Sequence, residues 1–344
     1  MTAQPAPLHA RLAQYLTTLW QTPVAIENLA RIPGGASRET YRFDAITRET
    51  TRGLILRRDP ISTLIETERQ GEYRAYQSFH PRGIPTPEPI HLDEQGGLLE
   101  RPFFIMSRID GGTAANPFAP NPYAPHEHEI GRQFFELLGQ IAKTPVEDLP
   151  FTKDLRMPTP ETCWQSQLAH WENTIDTDEL HPQPIARAAI RKLRRAPPPP
   201  AQKIAVIHGD YRSGNFLHDG NGRILAILDW EMAHLGDPLE DLGWALDPLW
   251  AHGDPSRPAG TILQKTAIEI WENSSGLTVN PEAFAWWQLF NAVKGLAIWI
   301  SAAHAYRKGG GTDPVLRFSG WFCGRQHDAI VARMLEQAYA KVLT

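Results

Sequence analysis

Only two cysteines occur in the 344 residues, Cys163 and Cys323, and nothing near either completes a paired motif. That excludes a disulfide framework and a cysteine-based zinc site, and it favours a reducing compartment. No lysine precedes Lys143, so the permanent cations ahead of it are all arginines. The longest apolar run, near "GLAIWISAA", is far shorter than a membrane span. The start, "MTAQPAPLHARLAQYL", lacks the basic-then-apolar profile of a secretory signal, and a cytoplasmic location is expected. A formal net charge of −5 leaves no basic excess for nucleic acid and no acidic tail. What is present, 42% hydrophobic and 21% charged residues, suits a soluble globular enzyme or binding protein. The length allows two lobes with their own cores or one large α/β domain.

Leu8, Leu12, Tyr15, Leu16 and Leu19 recur at helical spacing and predict a helix over 7–20. From about 24 to 108, strand-like runs "TYRFDAI", "GLILRR" and "PFFIMSRI" surround one helical stretch, 65–80, and imply a small mixed lobe. The Gly, Asn and Pro density of "IDGGTAANPFAPNPYAP" marks a loop. A second lobe starts with the amphipathic helix of Ile130, Phe134, Leu137, Leu138 and Ile141. Thr159, Pro160 and Glu161 open a further helix carrying Trp164, Leu168, Trp171 and Ile175. "RRAPPPPAQ" ends the next, basic helix, and 239–344 reads as mostly helical, with seven of the eleven tryptophans.

Charges concentrate in "VIHGDYRSGNFLHDGNGRILAILDWEMAHLGDP", residues 206–238, threaded between the apolar runs "IAVI", "NFL" and "ILAIL". Asp210 follows a short strand and Asn215 comes five residues later, across a turn eased by Gly209 and Gly214. A hairpin return brings Asp229 alongside. Two oxygen ligands and one uncoordinated carboxylate then share a pocket. Asn215 and Asp229 suit Mg²⁺, which takes one or two protein oxygens beside waters and substrate phosphates. Asp210 is left to orient a hydroxyl nucleophile and accept its proton.

The segments "HGDYRSGN" and "ILDWEMAHLGDPLEDLGW" resemble the catalytic loop and the metal-binding segment of the aminoglycoside phosphotransferase and choline kinase superfamily, and the likeness covers most of the chain. It implies an α+β, bilobal, protein-kinase-like fold, with a small mixed β-sheet lobe over 1–108 that binds nucleotide and a larger, mainly helical lobe over 109–344 for catalysis and the acceptor. It also implies ATP, or GTP in its place, and Mg²⁺. Asp210 is then the base, Asn215 and Asp229 hold the metal, and His208 braces the loop. Asp237 and Asp241 are expected to cap helices and support loops. Arg212, beside the base, either contacts the acceptor or transferred phosphoryl group or forms a structural salt bridge.

In the small lobe the resemblance points to "PGGASRETYRF", where Gly34, Gly35 and Ser37 would cover the phosphates, and to Arg57 of "GLILRRDP" as the phosphate cation, with Arg58 as the alternative. Arginine keeps the electrostatic role that lysine has in protein kinases while changing the geometry. Glu72 is the helix acid expected to pair with it, with Glu68 as the competing choice. In "FFIMSRIDGG" the backbone of Ser107–Ile109 would meet adenine, and Met106 would sit behind it.

Within the superfamily the chain looks closest to the branch of kinase-like domains fused to acyl-CoA dehydrogenases, which implies a hydroxy acid or hydroxyacyl thioester as acceptor. Residues 242–344 carry nine basic and eight acidic side chains, a balance that disfavours polycationic antibiotics. Trp244, Trp250, Trp286, Trp287, Trp299 and Trp321 are candidates for an apolar acceptor wall or for core packing. Neither nucleic acid nor membrane is expected as a partner, and the oligomeric state is left open. The competing readings are an antibiotic kinase, a nucleotide-binding pseudokinase, and a metal-dependent phosphoesterase. The last would need further ligands, for which His218, Asp219 and His234 are the nearby choices.

Overall fold

The computed structural model describes residues 6–32, 38–59, 69–116, 119–308 and 314–343. Helix α1 (Leu8–Trp20) leads into strands β1 (Ala25–Ile32), β2 (Glu39–Ile46) and β3 (Thr51–Arg58), then helix α2 (Arg69–Phe79) and strands β4 (Pro89–Asp93) and β5 (Phe103–Ser107). The five strands form an antiparallel sheet in the order β1-β2-β3-β5-β4.

Strand parity divides this sheet into two faces. Leu54, Leu56, Phe103 and Ile105 pack with Phe43 against Leu12 and Leu16 of α1. Each buried leucine there contributes about 1.5–3 kcal/mol. Ile55, Phe104 and Met106 face the other way, into the core that includes Tyr73 and Tyr76 of α2. Arg57 shares that second face and Arg58 the first. The period of two therefore decides which of the adjacent arginines reaches the interior of the cleft.

The remainder comprises β6 (Thr113–Ala114), α3 (Glu127–Lys143), α4 (Cys163–Asp178), α5 (Pro184–Arg195), β7 (Ala205–Ile207), β8 (Phe216–His218), β9 (Ile224–Ile227), β10 (His234–Gly236), α6 (Leu239–Ala245), α7 (Gln264–Ser275), α8 (Pro281–Arg307) and α9 (Pro314–Leu343). The chain is thus an α+β, bilobal, kinase-like fold. Strand β8 pairs with both β6 and β9, and β7 pairs with β10. Helix α8 is apolar almost all round and buries Trp286, Trp287, Phe290, Val293 and Leu296, as expected of a core helix. None of the helices is long and apolar enough to cross a membrane among the described residues.

Two sequence expectations need correction, and a third is decided. The helix expected from Thr159–Pro160–Glu161 starts only at Cys163, because Thr159 accepts the Thr162 and Cys163 N–H groups in a turn of its own. The segment read wholly as loop after residue 108 contributes the two residues of β6, which complete a sheet with β8. Of the candidate acceptor tryptophans, Trp244, Trp250, Trp286 and Trp287 are buried, whereas Trp321 is 57% exposed.

Candidate active site

The loop between β7 and β8 is held from below. Asp241 of α6 accepts the backbone N–H groups of His208 and Gly209 at 2.6 and 2.9 Å. Gly209 has φ +84°, and a Cβ there would lie 2.3 Å from the Met232 carbonyl oxygen, so only glycine fits the turn. His208 bonds the Leu228 carbonyl through Nε2 and accepts the Asp210 N–H at Nδ1. Burial pushes its pKa down to about 4. It is therefore a neutral brace that ties the loop to the segment before Asp229.

Asp210 differs from the uncoordinated carboxylate expected from sequence. Its oxygens accept from Arg212 Nε at 3.1 and 3.2 Å, Asn215 Nδ2 at 2.6 Å and Trp244 Nε1 at 2.7 Å. Three donors fix its rotamer. Arg212 also lies 4.8 Å from the Trp250 ring centre, and its Nη1 donates to the Ser213 carbonyl.

Asp229 has φ 67° and ψ 56°, a left-handed conformation uncommon for a residue other than glycine. Its N–H donates to the Tyr76 hydroxyl, and the Leu228 N–H donates to the Asn215 carbonyl at 2.8 Å. These bonds set the two candidate metal ligands side by side. Burial opposes ionisation of Asp229, and the Arg57 guanidinium more than offsets it, holding this carboxyl below the usual range.

Arg57 donates to Glu72, to Asp229 at 3.1 Å and to Glu231 at 3.4 Å. Glu72 is fully buried and also accepts from Arg38 Nε at 3.1 Å, while Arg38 reaches Asp59 at 2.7 Å. Arg58 bonds Glu39 and the Leu99 carbonyl on the opposite face of the sheet. Gly34, Gly35, Ser37 and Glu68 lie outside the described residues.

Arg57, Met106, Ser107, Ile109, Asn215 and Asp229 line one cavity of about 880 Å³. Its size is within the range of small-ligand and cofactor clefts. Within the cleft's rear edge, the Ser107 N–H is taken by the Glu88 carbonyl and the Arg108 N–H by the Gly53 carbonyl. Among the described residues the Ile109 N–H has no such partner. Asn215 spends its Nδ2 on Asp210, leaving its amide oxygen for a cation, and Asp229 uses one oxygen on Arg57. One amide oxygen and one carboxylate oxygen fit the protein share of a Mg²⁺ shell.

The donors expected for a phosphoesterase are engaged elsewhere. His218 accepts the Gly220 N–H, Asp219 accepts from Asn221 and Arg223, and His234 pairs with Glu240 at 3.0 Å. Sequence reasoning missed Arg38, Glu231 and Lys294, and it named Trp244 without its bond to Asp210. Arg38 carried the one local signal, a cation directly after the segment "PGGAS".

Residues 28–277 match the model of the phosphotransferase enzyme family. Acyl-CoA dehydrogenase family member 11 of Gallus gallus is 25% identical over 241 residues, 69% of this chain and 30% of that protein, so the chain spans under a third of that relative. Two solved structures share the fold. One is a Ralstonia eutropha protein assigned as an aminoglycoside phosphotransferase, with TM-score 0.74, 18% identity, and coverage of 95% of this chain and 98% of that one. The other is a spectinomycin phosphotransferase in complex with ADP and spectinomycin, with TM-score 0.59, 16% identity, and coverage of 96% and 99%.

Proposed function

The chain belongs to the phosphotransferase enzyme family, and from that premise we propose that it moves the terminal phosphoryl group of ATP, with GTP as the alternative donor, to a hydroxyl of a small molecule. Residues 1–108 form the nucleotide lobe in this reading and 109–344 the catalytic and acceptor lobe, acting in the cytoplasm. The observation that carries it is the convergence of Arg57, Asn215 and Asp229 on one cavity, with Asp210 directly behind Asn215.

Adenine takes the Ile109 N–H, against Met106. Arg57 faces the phosphates, and Gly34, Gly35 and Ser37 are assigned to cover them. Asn215 and Asp229 hold Mg²⁺, which when bound offsets phosphate charge. Asp210, its rotamer fixed by three donors, accepts a hydrogen bond from the acceptor hydroxyl. As the new O–P bond forms and the bond to the β-phosphate oxygen breaks, the hydroxyl proton passes to Asp210 and the diphosphate leaves. Alignment and charge stabilisation do most of the work in such transfers. Arg212 keeps the carboxylate aimed and its charge beside the acceptor.

A hydroxy acid or hydroxyacyl-CoA is the acceptor class that this reading favours. Arg212, Trp250 and His252, which bonds Ser213 at 3.0 Å, cluster beside the base. Asp247 nearby is buried and occupied by the Leu249 N–H and His327. A polycationic antibiotic would meet an arginine there. The likeness to acyl-CoA dehydrogenase family member 11 supports the same choice, whereas the likeness to spectinomycin phosphotransferase is one of fold.

Thermal unfolding with Mg²⁺ and ATP or GTP tests the site. A ligand at 100 times its Kd adds about 2.7 kcal/mol of stability. The wild type is expected to gain stability, Asp229→Ala to lose the Mg²⁺-dependent part, and Asp210→Ala to keep it while losing ATP turnover. Turnover surviving intact in Asp210→Ala refutes the assignment of the base, and stabilisation with no turnover in the wild type, across hydroxy acids, hydroxyacyl-CoAs and aminoglycosides, favours the pseudokinase.

A further inference from the structure

Lys294 occupies the middle of α8, beyond the residues matched by the family model, and is 1% exposed. A buried ammonium must be held by acceptors, because it has lost its hydration. Its Nζ donates to Glu240 Oε1 at 3.1 Å and to the Gly209 carbonyl, and lies 5.1 Å from the Trp244 ring centre. Glu240 supplies the neutralising charge. The other two contacts converge on one residue.

Gly209 directly precedes Asp210, and the Trp244 indole donates to Asp210 Oδ1 at 2.7 Å. The same cation thus touches the backbone that carries Asp210 and the ring that holds its carboxylate. Asp241, one turn from Trp244 on α6, secures the Gly209 N–H while Lys294 secures the Gly209 carbonyl. Both polar ends of this loop residue are therefore pinned from beneath by buried charges. Beside this pair lie His234, bonded to Glu240 Oε2, and His170 of α4.

We propose that Lys294 is a positioning residue for phosphoryl transfer, acting through Gly209 and Trp244 to hold the Asp210 carboxylate where the acceptor hydroxyl arrives. The inference rests on the kinase reading above. A stabilising role alone does not require a lysine here, since a buried ion pair can often be replaced by apolar side chains of similar volume without loss of stability. What apolar atoms cannot supply is a donor to the Gly209 carbonyl.

The test compares full-length wild type, Lys294→Met, Lys294→Arg and Trp244→Phe, with Mg-ATP as the probe. Phosphate released to water gives kcat and KM for ATP, and thermal unfolding with and without Mg-ATP reports folding and nucleotide binding separately. Trp244→Phe and Lys294→Met are expected to lower kcat on the order of 100-fold, as for a misplacement of about 1 Å. KM for ATP and the Mg-ATP stabilisation should stay near wild type, and Lys294→Arg should restore most of kcat. If Lys294→Met fails to fold, Trp244→Phe and Lys294→Arg decide. Wild-type kcat in Trp244→Phe overturns the proposal, as does a parallel fall of kcat, ATP affinity and stability in every variant. A wild type that neither binds nor hydrolyses Mg-ATP instead overturns the kinase reading, and this inference with it.

Discussion

Replacing Glu72 with glutamine keeps the side chain's shape and removes its charge from between two guanidinium groups. Burial pushes the Glu72 carboxyl above the usual carboxylate range, and the Arg57 and Arg38 guanidiniums oppose that shift. Breaking a buried pair by removing one partner costs about 3–5 kcal/mol. Here Arg57 retains Asp229 at 3.1 Å and Glu231 at 3.4 Å, and Arg38 retains Asp59 at 2.7 Å. The lower end applies, about 3 kcal/mol. A second effect follows from the same geometry. Arg57, released from α2, pairs more fully with Asp229, the carboxylate assigned to the metal. A further 1.4 kcal/mol of competition at that site would weaken Mg-ATP binding about tenfold. Urea unfolding measures the first term, and calorimetric titration with Mg-ATP measures the second. Combining Glu72→Gln with Arg57→Met should cost less than the sum of the two single changes, because they share one network. Glu72→Gln within about 0.5 kcal/mol of wild type, the range of ordinary surface substitutions, with unchanged Mg-ATP affinity, would refute both parts.

Gly209→Ala places a Cβ 2.3 Å from the Met232 carbonyl oxygen at φ +84°; left-handed strain alone is about 1–2 kcal/mol, so thermal unfolding should drop clearly and ATP turnover should fall with it. Arg58→Met should leave Mg-ATP affinity unchanged and cost about 1–2 kcal/mol in urea unfolding, since Glu39 keeps Arg101 at 2.8 Å; loss of nucleotide affinity would reverse the choice between the two arginines. The pH dependence has a defined sign: burial lowers His208 from 6.5 to about 4, so its contribution is complete above 6.5 and is lost as pH falls toward 4, about 3 kcal/mol in total. Burial raises Asp237 and Asp241 from 3.8 to about 6, which opposes that loss between those values. Stability at pH 4 relative to pH 7, read by urea unfolding, should therefore be lower than in wild type for Asp241→Asn and higher for His208→Gln; the same difference in all three proteins would contradict the assignment.

The sequence was most legible where neighbours in the chain are also neighbours in space. Asp210 and Asn215 sit five residues apart across a single turn, and the β8–β9 hairpin returns Asp229 to them, so spacing alone brought the three together. Alternation along "GLILRR" separates Arg57 from Arg58, although it does not say which face meets the cleft until α1 is known to cover Leu54 and Leu56. What remained hidden depends on long-range contacts. Trp244 reaches Asp210 from 34 residues away and Lys294 reaches Gly209 from 85. Within "NAVKGLAIWI", Lys294 breaks an apolar pattern, and nothing local tells whether such a lysine snorkels to solvent or meets a buried carboxylate. The start of α4 was misread for the opposite reason: Thr159 and Pro160 form a good local opening signal, and the chain uses it for a turn.

The two halves of the site are supported independently. Arg57, the cation proposed to face the nucleotide, is anchored by Glu72 on α2, whereas the candidate base is anchored by Trp244 on α6 and, through Gly209, by Lys294 on α8. Arg57 joins the halves through Asp229 and Glu231, and Asn215 joins the proposed metal site to the base through its hydrogen bond to Asp210. The first link engages a proposed metal ligand, so cation binding at Asp229 should redistribute the Arg57 contacts while the Trp244 and Arg212 bonds to Asp210 stay in place. In the proposed reading, nucleotide affinity and alignment of the base then draw on different supports that meet at Asn215. A fold arranged in this way can vary its acceptor around Arg212, Trp250 and His252 without disturbing the cavity that Arg57, Asn215 and Asp229 line.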